Sequence, residues 1–412
     1  MPLEMRVKKS VPLRIVLIMA MTMVAVSSQC QAAGTVVGNV DHQRQTAFAL
    51  EQQGKTAEAE DAWRAVIKAQ PTNAEAYAHL GFLEARQEHY KEAAPLYRKA
   101  LALEPAMPGL RMNLGLALFK SGKLREAIDT FTPLLKKEPA STPEALRLTT
   151  LIGIANYGLG EYAAAVPHLK EATANDPKNL PFRLMLAQSF LASKQYSCVL
   201  DTYHEILLLN AESAEADMLA GEALDEMKDH AGAIQQFRAA VKADPKVPNV
   251  HFGLAYLLWS QSQYEEAAQE FQAELANVPG SAQTIAYLAD TQLKLSHPEA
   301  ARPLIQQAIA IDSKMELPHL DLGIMDADAG DRENALRELK LAASLSPSDV
   351  NAHWRLARLY QAMGRKDEAK VEFDKTSSLH KAENATIFEE LGKARAKGKP
   401  EDAPESVPPT NP

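Results

Sequence analysis

The 412-residue chain is 46% hydrophobic and 24% charged, with a formal net charge of -9 and a pI near 5.7. That composition supplies enough apolar material for a sizeable core, and it excludes the broad basic face that a nucleic-acid binder needs to displace counterions from phosphates. At about 150 residues per domain the length alone suggests two or three globular units, a prior that internal periodicity overrides.

The first residues differ from the rest. Arg6, Lys8, Lys9 and Arg14 precede the apolar run "IVLIMAMTMVAV" and the small, polar "SSQCQAAG". This is the layout of a secretory signal peptide over residues 1–32, with cleavage after Ala32 and a short linker over 33–39. A run of twelve residues at about 1.5 Å each falls short of the roughly 30 Å hydrocarbon core, so a stable span after cleavage is not expected. Lipidation at Cys30 and retention as an anchor stay open, although Gln29 occupies the place where a lipobox has a small residue. Cleavage would remove four basic residues with Glu4 and leave the mature chain near -12. It would also remove Cys30, so that Cys198 has no partner for an internal disulfide.

From residue 40 a phrase recurs. It closes at Pro71, Pro105 and Pro139, at Pro177 after four extra residues, then at Ala211, Pro245, Pro279, Ser313, Pro347 and Lys381, with a spacing of 34 elsewhere. About twelve positions before each close stands a small residue: Ala59, Ala93, Ala127, Ala165, Ala233, Ala267, Ala301, Ala335 and Ala369, with Val199 as the exception. Four residues later comes a large one: Trp63, Tyr97, Phe131, Leu169, Tyr203, Phe237, Phe271, Ile305, Leu339 and Phe373. Upstream, pairs such as Leu80-Gly81, Leu114-Gly115 and Leu322-Gly323 mark a second close contact.

These residues resemble the tetratricopeptide repeat (TPR) family, of an exported bacterial type, with about ten units over residues 40–381. The resemblance implies an all-α fold, a right-handed α-solenoid of stacked helix pairs. The physical reading agrees. Each unit is an antiparallel helix pair with a small residue where the helices cross, a large one filling the gap to the next unit, and a proline that stops the second helix. Gly122, Gly160, Gly330 and Gly364 fall in the turns between paired helices, where positive φ favours glycine. Pro95, Pro167 and Pro303 share one place in the second helix and Pro133 lies deeper, all read as tolerated bends. The four extra residues in "ASTPEA" are expected to lengthen one connection around Ser141.

Past Lys381, residues 382–398 read as a capping helix with Ile387, Phe388 and Leu391 toward the last repeat, and residues 399–412 as a disordered proline-rich, acidic tail.

Motifs that carry chemistry are lacking. "HEILL" at His204 has Leu208 where a zinc-protease helix needs its second His, and Gly122-Lys123 is followed by Leu124 where a phosphate loop needs Ser or Thr. No serine elbow and no dinucleotide fingerprint occur in the sequence. The eleven His residues lack paired metal-ligand spacing, Cys198 reads as a buried structural thiol, and the cations of "KARAKGK" complement a helix C-terminus. No catalytic residue, metal or cofactor is expected.

In the TPR family the first helices of successive units line a concave face that holds a partner's peptide. Mapped on this chain, that resemblance picks out Phe48, Phe82, Met112, Leu116, Phe119, Tyr157, Met185, Met218, Phe252, Tyr256, Trp259, Tyr287 and Trp354, an apolar groove. Some of these are equally suited to the core between units. Asn113, Lys120 and Arg147 do not make up a carboxylate clamp for chaperone tails. The asparagine ladder of the TPR-bearing glycosyltransferases is also missing, its places reading Gln45, His79, Asn113, Leu151, Met185, Leu219, Gly253, Tyr287, Asp321 and Arg355. The expectation is therefore an exported, non-enzymatic scaffold, periplasmic or envelope-associated, that binds another protein or peptide segment and no nucleic acid. A structural subunit of an envelope, pilus or polysaccharide-export machine is the alternative, and a cryptic enzyme a second. Oligomeric state is left open by the sequence.

Overall fold

The computed structural model describes residues 40–397. The expected signal segment 1–32, the linker 33–39 and the tail 399–412 lie outside the described residues. Every regular element among the described residues is an α-helix, twenty in all. They fall into two compact units, one through Gln195 and one from Tyr196 onward.

The first unit contains four helix pairs and a ninth helix. The pairs are α1 (residues 40–52) with α2 (Thr56–Ala69), α3 (Ala74–Arg86) with α4 (Tyr90–Leu103), α5 (Leu110–Lys120) with α6 (Leu124–Leu135), and α7 (Pro143–Gly158) with α8 (Tyr162–Asn175); α9 (Leu180–Ala192) follows. The second unit opens with α10 (Tyr196–Leu207). Its pairs are α11 (Ala214–Glu226) with α12 (His230–Ala243), α13 (Val250–Ser260) with α14 (Tyr264–Asn277), α15 (Ala282–Lys294) with α16 (Pro298–Ile311), α17 (Glu316–Asp328) with α18 (Arg332–Leu345), and α19 (Val350–Ala362) with α20 (Lys366–Lys397). Within each unit a helix packs on its own partner and then on the next pair, which is the stacked, all-helical arrangement expected. First helices also meet directly: α3 with α5 in one unit, and α11 with α13, α13 with α15, α15 with α17 and α17 with α19 in the other.

The reason for the small residues is geometric. A Cβ added at Gly115 would lie 2.3 Å from the Phe131 ring, and one at Gly323 would lie 2.7 Å from Leu339. The alanines of the second helices and Val199 are buried. Most of the large residues four positions on are buried too, from Trp63 to Leu339. Tyr203 and Phe373 are only half buried. The Tyr203 hydroxyl lies 2.9 Å from both Asp217 Oδ1 and Gln236 Oε1, donating to one of these carbonyl-type acceptors at a time. Three pairs carry a further link between their helices. His251 lies 2.6 Å from Glu270, His319 2.7 Å from Glu338, and His353 2.6 Å from Glu372.

Local signals start and stop the helices. Asn73, Asn179, Ser213, Ser281 and Asp349 each stand two places after a closing residue, and each accepts a backbone N–H with its side chain at a helix start. Second helices such as α4 and α14 end two residues before their prolines. Helix α16 ends in the same place before Ser313, so proline is one stop among several. Pro95, Pro133, Pro167 and Pro303 are carried inside continuous helices.

The four extra residues lengthen the connection around Ser141, as expected: seven residues join α6 to α7, against four between α2 and α3. They also lengthen the helix that follows, since Thr142 caps and Pro143 opens an α7 of 16 residues, against 11 in α5 and 13 in α3. Two expectations are corrected. No break separates a capping helix 382–398 from the last pair, because nothing at Lys381 stops α20, which runs on to Lys397; the side chains of Ile387, Phe388 and Leu391 lie outside the described residues. Cys198 is partly exposed instead of buried.

Candidate functional site

In the second unit, Phe252, Tyr256 and Trp259 are spaced by four and three along α13 and so share one stripe of that helix. Tyr287 meets them from α15, and Phe271 from α14 lies beneath. The five rings form one cluster. Tyr287 stands edge-on to Trp259 at 5.2 Å, to Tyr256 at 5.5 Å and to Phe252 at 5.8 Å, while Tyr256 stacks on Trp259 at 5.9 Å and Phe252 reaches Phe271 at 5.7 Å. Edge-to-face pairs of this kind are favoured by the ring quadrupole and hold the patch in a fixed shape. Tyr256 is exposed, and Phe252, Trp259 and Tyr287 are half buried, so the cluster both anchors the stack and meets solvent. Beside it a pocket of about 200 Å3 is lined by Met218, Glu222 and Asp225 of α11 and by Phe252, Gly253 and Tyr256 of α13.

Carboxylates border the rings. The Trp259 indole donates to Asp290 Oδ2 at 2.6 Å, and Lys294 lies 3.7 Å from Oδ1 of the same residue. On α17, burial pushes the Glu316 carboxyl up to about 7, aided by the charge of Asp349 and opposed by His319. Burial, reinforced by Asp290 and Glu316 and opposed by Lys294, holds the Asp321 carboxyl well above the usual carboxylate range. The Tyr287 hydroxyl is raised in the same way, chiefly by burial.

The first unit scatters its predicted residues. Phe48 is exposed and meets His79 edge-on at 5.8 Å; His79 stacks on the buried Trp63 at 4.6 Å, and Glu51 bonds both His79 and the Trp63 indole. Phe82 is exposed beneath the Arg86 guanidinium. Met112, Leu116 and Phe119 lean on the core around Leu114 and Phe131, Tyr157 meets Tyr162 edge-on at 5.7 Å, and Met185 is half buried.

None of the thirteen predicted residues is fully buried. The structure gathers Phe252, Tyr256, Trp259 and Tyr287, with Met218 packed against the same core, and leaves Trp354 apart under Arg355 and Arg358. Sequence reasoning missed Asp290, Glu316 and Asp321. Asp321 occupies the place of Tyr287 one repeat later, and a lone acid there was the available signal.

Two tetratricopeptide repeat family models match, one over residues 84–152, 157–223 and 327–383 and the other over 46–108 and 221–282, together more than half of the chain. The chain belongs to the tetratricopeptide repeat family. This TPR chain is 24% identical over 326 residues to the DnaJ protein P58IPK homologs A and B of Oryza sativa subsp. japonica, covering 74% of its own length and 63% and 64% of theirs. It thus spans just under two thirds of those relatives. It is also 24% identical over 311 residues to the TPR repeat-containing protein YpiA of Bacillus subtilis, covering 74% of this chain and 68% of that one. Among solved structures, a tetratricopeptide repeat protein from Parabacteroides merdae superposes with a TM-score of 0.47 at 19% identity, over 61% of this chain and 97% of that one. YrrB, described as a TPR protein with an unusual peptide-binding site, gives a TM-score of 0.35 at 17% identity, over 46% of this chain and 97% of that one. TPR proteins generally mediate protein–protein interaction, and their scaffold is typically non-enzymatic.

Proposed function

We propose that this protein is a non-enzymatic scaffold that holds a segment of another protein along the first helices of its second unit, with the ring cluster of α13 and α15 as the anchor. The single observation behind this reading is that four large aromatic side chains converge where solvent still reaches them. Rigid aromatic surface of this kind gives much contact area for little lost rotamer freedom, as binding hot spots require. The test is quantitative affinity capture with the wild type and with a Tyr256→Ala/Trp259→Ala double variant of unchanged helicity. Equal capture by both ends the proposal. Crosslinks falling instead on second helices would turn the reading toward an assembly subunit of an envelope, pilus or polysaccharide-export machine.

The protein acts, in this proposal, after export to the periplasm or envelope. The support is the basic-then-apolar layout of residues 6–26 ahead of small residues. Cell fractionation with N-terminal sequencing decides it: an exported chain beginning at Ala33 is expected, and a cytoplasmic chain beginning at Met1 ends the idea. No helix among the described residues is long and apolar enough to cross a membrane.

A further inference from the structure

The carboxyl groups beside the aromatic cluster outnumber the cations that face them. Helices α15 and α17 pack directly on each other, bringing Asp290 from one toward Glu316 and Asp321 from the other. Asp290 and Asp321 are 5% and 3% exposed. Asp290 is satisfied by the Trp259 indole and faces Lys294. Asp321 Oδ2 and Glu316 Oε1, by contrast, are buried with no hydrogen-bond partner. A buried carboxylate oxygen without a donor is costly, and two physical remedies exist: a proton, or a cation brought from outside.

The chemistry of the surroundings selects the kind of cation. Among the described residues, no group of three or more His, Cys, Asp and Glu side chains is arranged to hold a metal ion. Aromatic rings border the acids instead, with Trp259 tied to Asp290 and Tyr287 edge-on to Trp259. Carboxyl groups at the border of an aromatic patch suit a guanidinium or ammonium group, whose N–H bonds the oxygens accept while its aliphatic stem lies along the rings. Elsewhere among the described residues the chain sets its own cations over rings: Arg86 lies over Phe82, Lys170 over Phe190, Arg355 and Arg358 over Trp354, and Arg365 over Tyr360. Among the described residues no cation is placed in that way over a ring of the cluster.

We infer that Asp290, Glu316 and Asp321, together with the rings of Trp259 and Tyr287, form an anionic subsite for an arginine or lysine side chain on the segment that this protein binds. The inference rests on the scaffold reading and gives that partner a chemistry: apolar anchors on α13, then a basic residue between α15 and α17. Without partner Glu316 and Asp321 hold protons. On binding they release them, so affinity rises with pH. The groups facing the subsite are Tyr287, Asp290 and Lys294 of α15, Glu316 and His319 of α17, Trp259 of α13, and Asp349 at the start of α19.

The test uses the full chain and a fluorescent nonapeptide of alternating leucine and arginine, compared with one carrying citrulline, the neutral isostere, at every arginine. Fluorescence anisotropy reads affinity, and the NMR signal of the Trp259 indole N–H reports the place of binding. At about pH 8 the arginine peptide binds about tenfold tighter than the citrulline peptide and shifts that signal. The preference shrinks to about twofold or less in a Glu316→Gln/Asp321→Asn variant, and at about pH 6 in the wild type. Equal binding of the two peptides, weakened alike by Tyr256→Ala/Trp259→Ala, overturns the subsite and leaves the groove standing. An arginine preference that survives in the Glu316→Gln/Asp321→Asn variant also overturns it. Nα-acetyl-arginine amide binding as tightly as the peptide overturns the assignment to a partner segment in favour of a free cation, and binding of neither peptide overturns both the subsite and the groove.

Discussion

Trp259 and Asp290 tie α13 to α15 through one bond of 2.6 Å, from the indole N–H to a carboxylate oxygen that is otherwise shut away from water. The relationship places a polar requirement inside an aromatic patch. Trp259→Phe keeps most of the ring area and removes only the donor, leaving Asp290 with Lys294 at 3.7 Å. Loss of a hydrogen bond to a buried charged group costs about 1.5–3 kcal/mol, which urea unfolding monitored by circular dichroism resolves. Asp290→Leu added to that variant should recover part of the loss, since the orphaned carboxylate goes with it. A double variant whose losses simply add would show that the bond carries no stability.

The acids of α17 set the sign of a pH dependence. The Glu316 carboxyl lies near 7 in the folded chain against an ordinary 4.5, so between those values the folded state holds a proton that the unfolded state has shed. Its contribution is fully present below the unfolded value and is lost as pH rises through 7; Asp321 has the same sign. The expected result is that Glu316→Gln or Asp321→Asn, compared with wild type, gives little change in thermal midpoint near pH 4 and a growing advantage toward pH 8. A constant difference across the range would show that neither acid holds its proton in the folded state.

Ten turns between consecutive helices each contain one residue in the left-handed region. Five are glycines, Gly54, Gly122, Gly160, Gly330 and Gly364, and five are Glu88, Lys194, Lys228, Ser262 and Ser296, with φ between 58° and 67°. The left-handed region costs an L-residue roughly 1–2 kcal/mol, of which glycine's greater loss of chain entropy returns about 0.5–1. Each of the five substitutions to Gly should therefore raise stability by up to about 1 kcal/mol, and widely separated ones should add. Glu88→Gly combined with Ser262→Gly, followed by thermal unfolding, checks this. A fall in the midpoint would mean that the side chains contribute more than the backbone strain.

Those turns show what the sequence makes legible. Residues whose identity is forced by contact could be read directly: nothing larger than Gly fits beside the Phe131 ring at Gly115, and Phe131 recurs as a large residue 34 positions from Tyr97. The conformation of Lys228 or Ser296 could not, because the two flanking helices impose it on whatever residue stands there. The fate of the extra residues near Ser141 was readable in principle, since Thr142-Pro143 is a helix start. The ring cluster was half legible: the stripe Phe252, Tyr256 and Trp259 is visible along one helix. Glu316 and Asp321 carry no motif in the sequence, and only stacking sets them beside Asp290, which belongs to the preceding repeat.

The same comparison between repeats yields a final prediction. His251–Glu270, His319–Glu338 and His353–Glu372 occupy one slot in three pairs, linking the first helix to the second across 2.6–2.7 Å. In the pair α15 and α16 the equivalent places, 34 residues from those of α17 and α18, hold Ile285 and Leu304, both packed among apolar neighbours. One backbone thus accepts either a polar pair or an apolar one. Removing a single member of a buried His–carboxylate pair strands the other, at about 3–5 kcal/mol, whereas replacing both by apolar groups of suitable shape is often neutral or favourable. Glu338→Leu should destabilise strongly and His319→Ile less so, because Arg337 Nε at 3.1 Å stays with the Glu338 carboxylate, and the double variant should lie within about 1 kcal/mol of the wild type or above it. The Ser313 carbonyl, which faces His319 Nε2 at 3.1 Å, sits on an exposed residue and can turn to water when the histidine goes. Denaturant unfolding of the three variants decides the matter, and a double variant as damaged as the sum of the singles would mean that the polar pair holds these two helices in a way Ile285 and Leu304 do not reproduce.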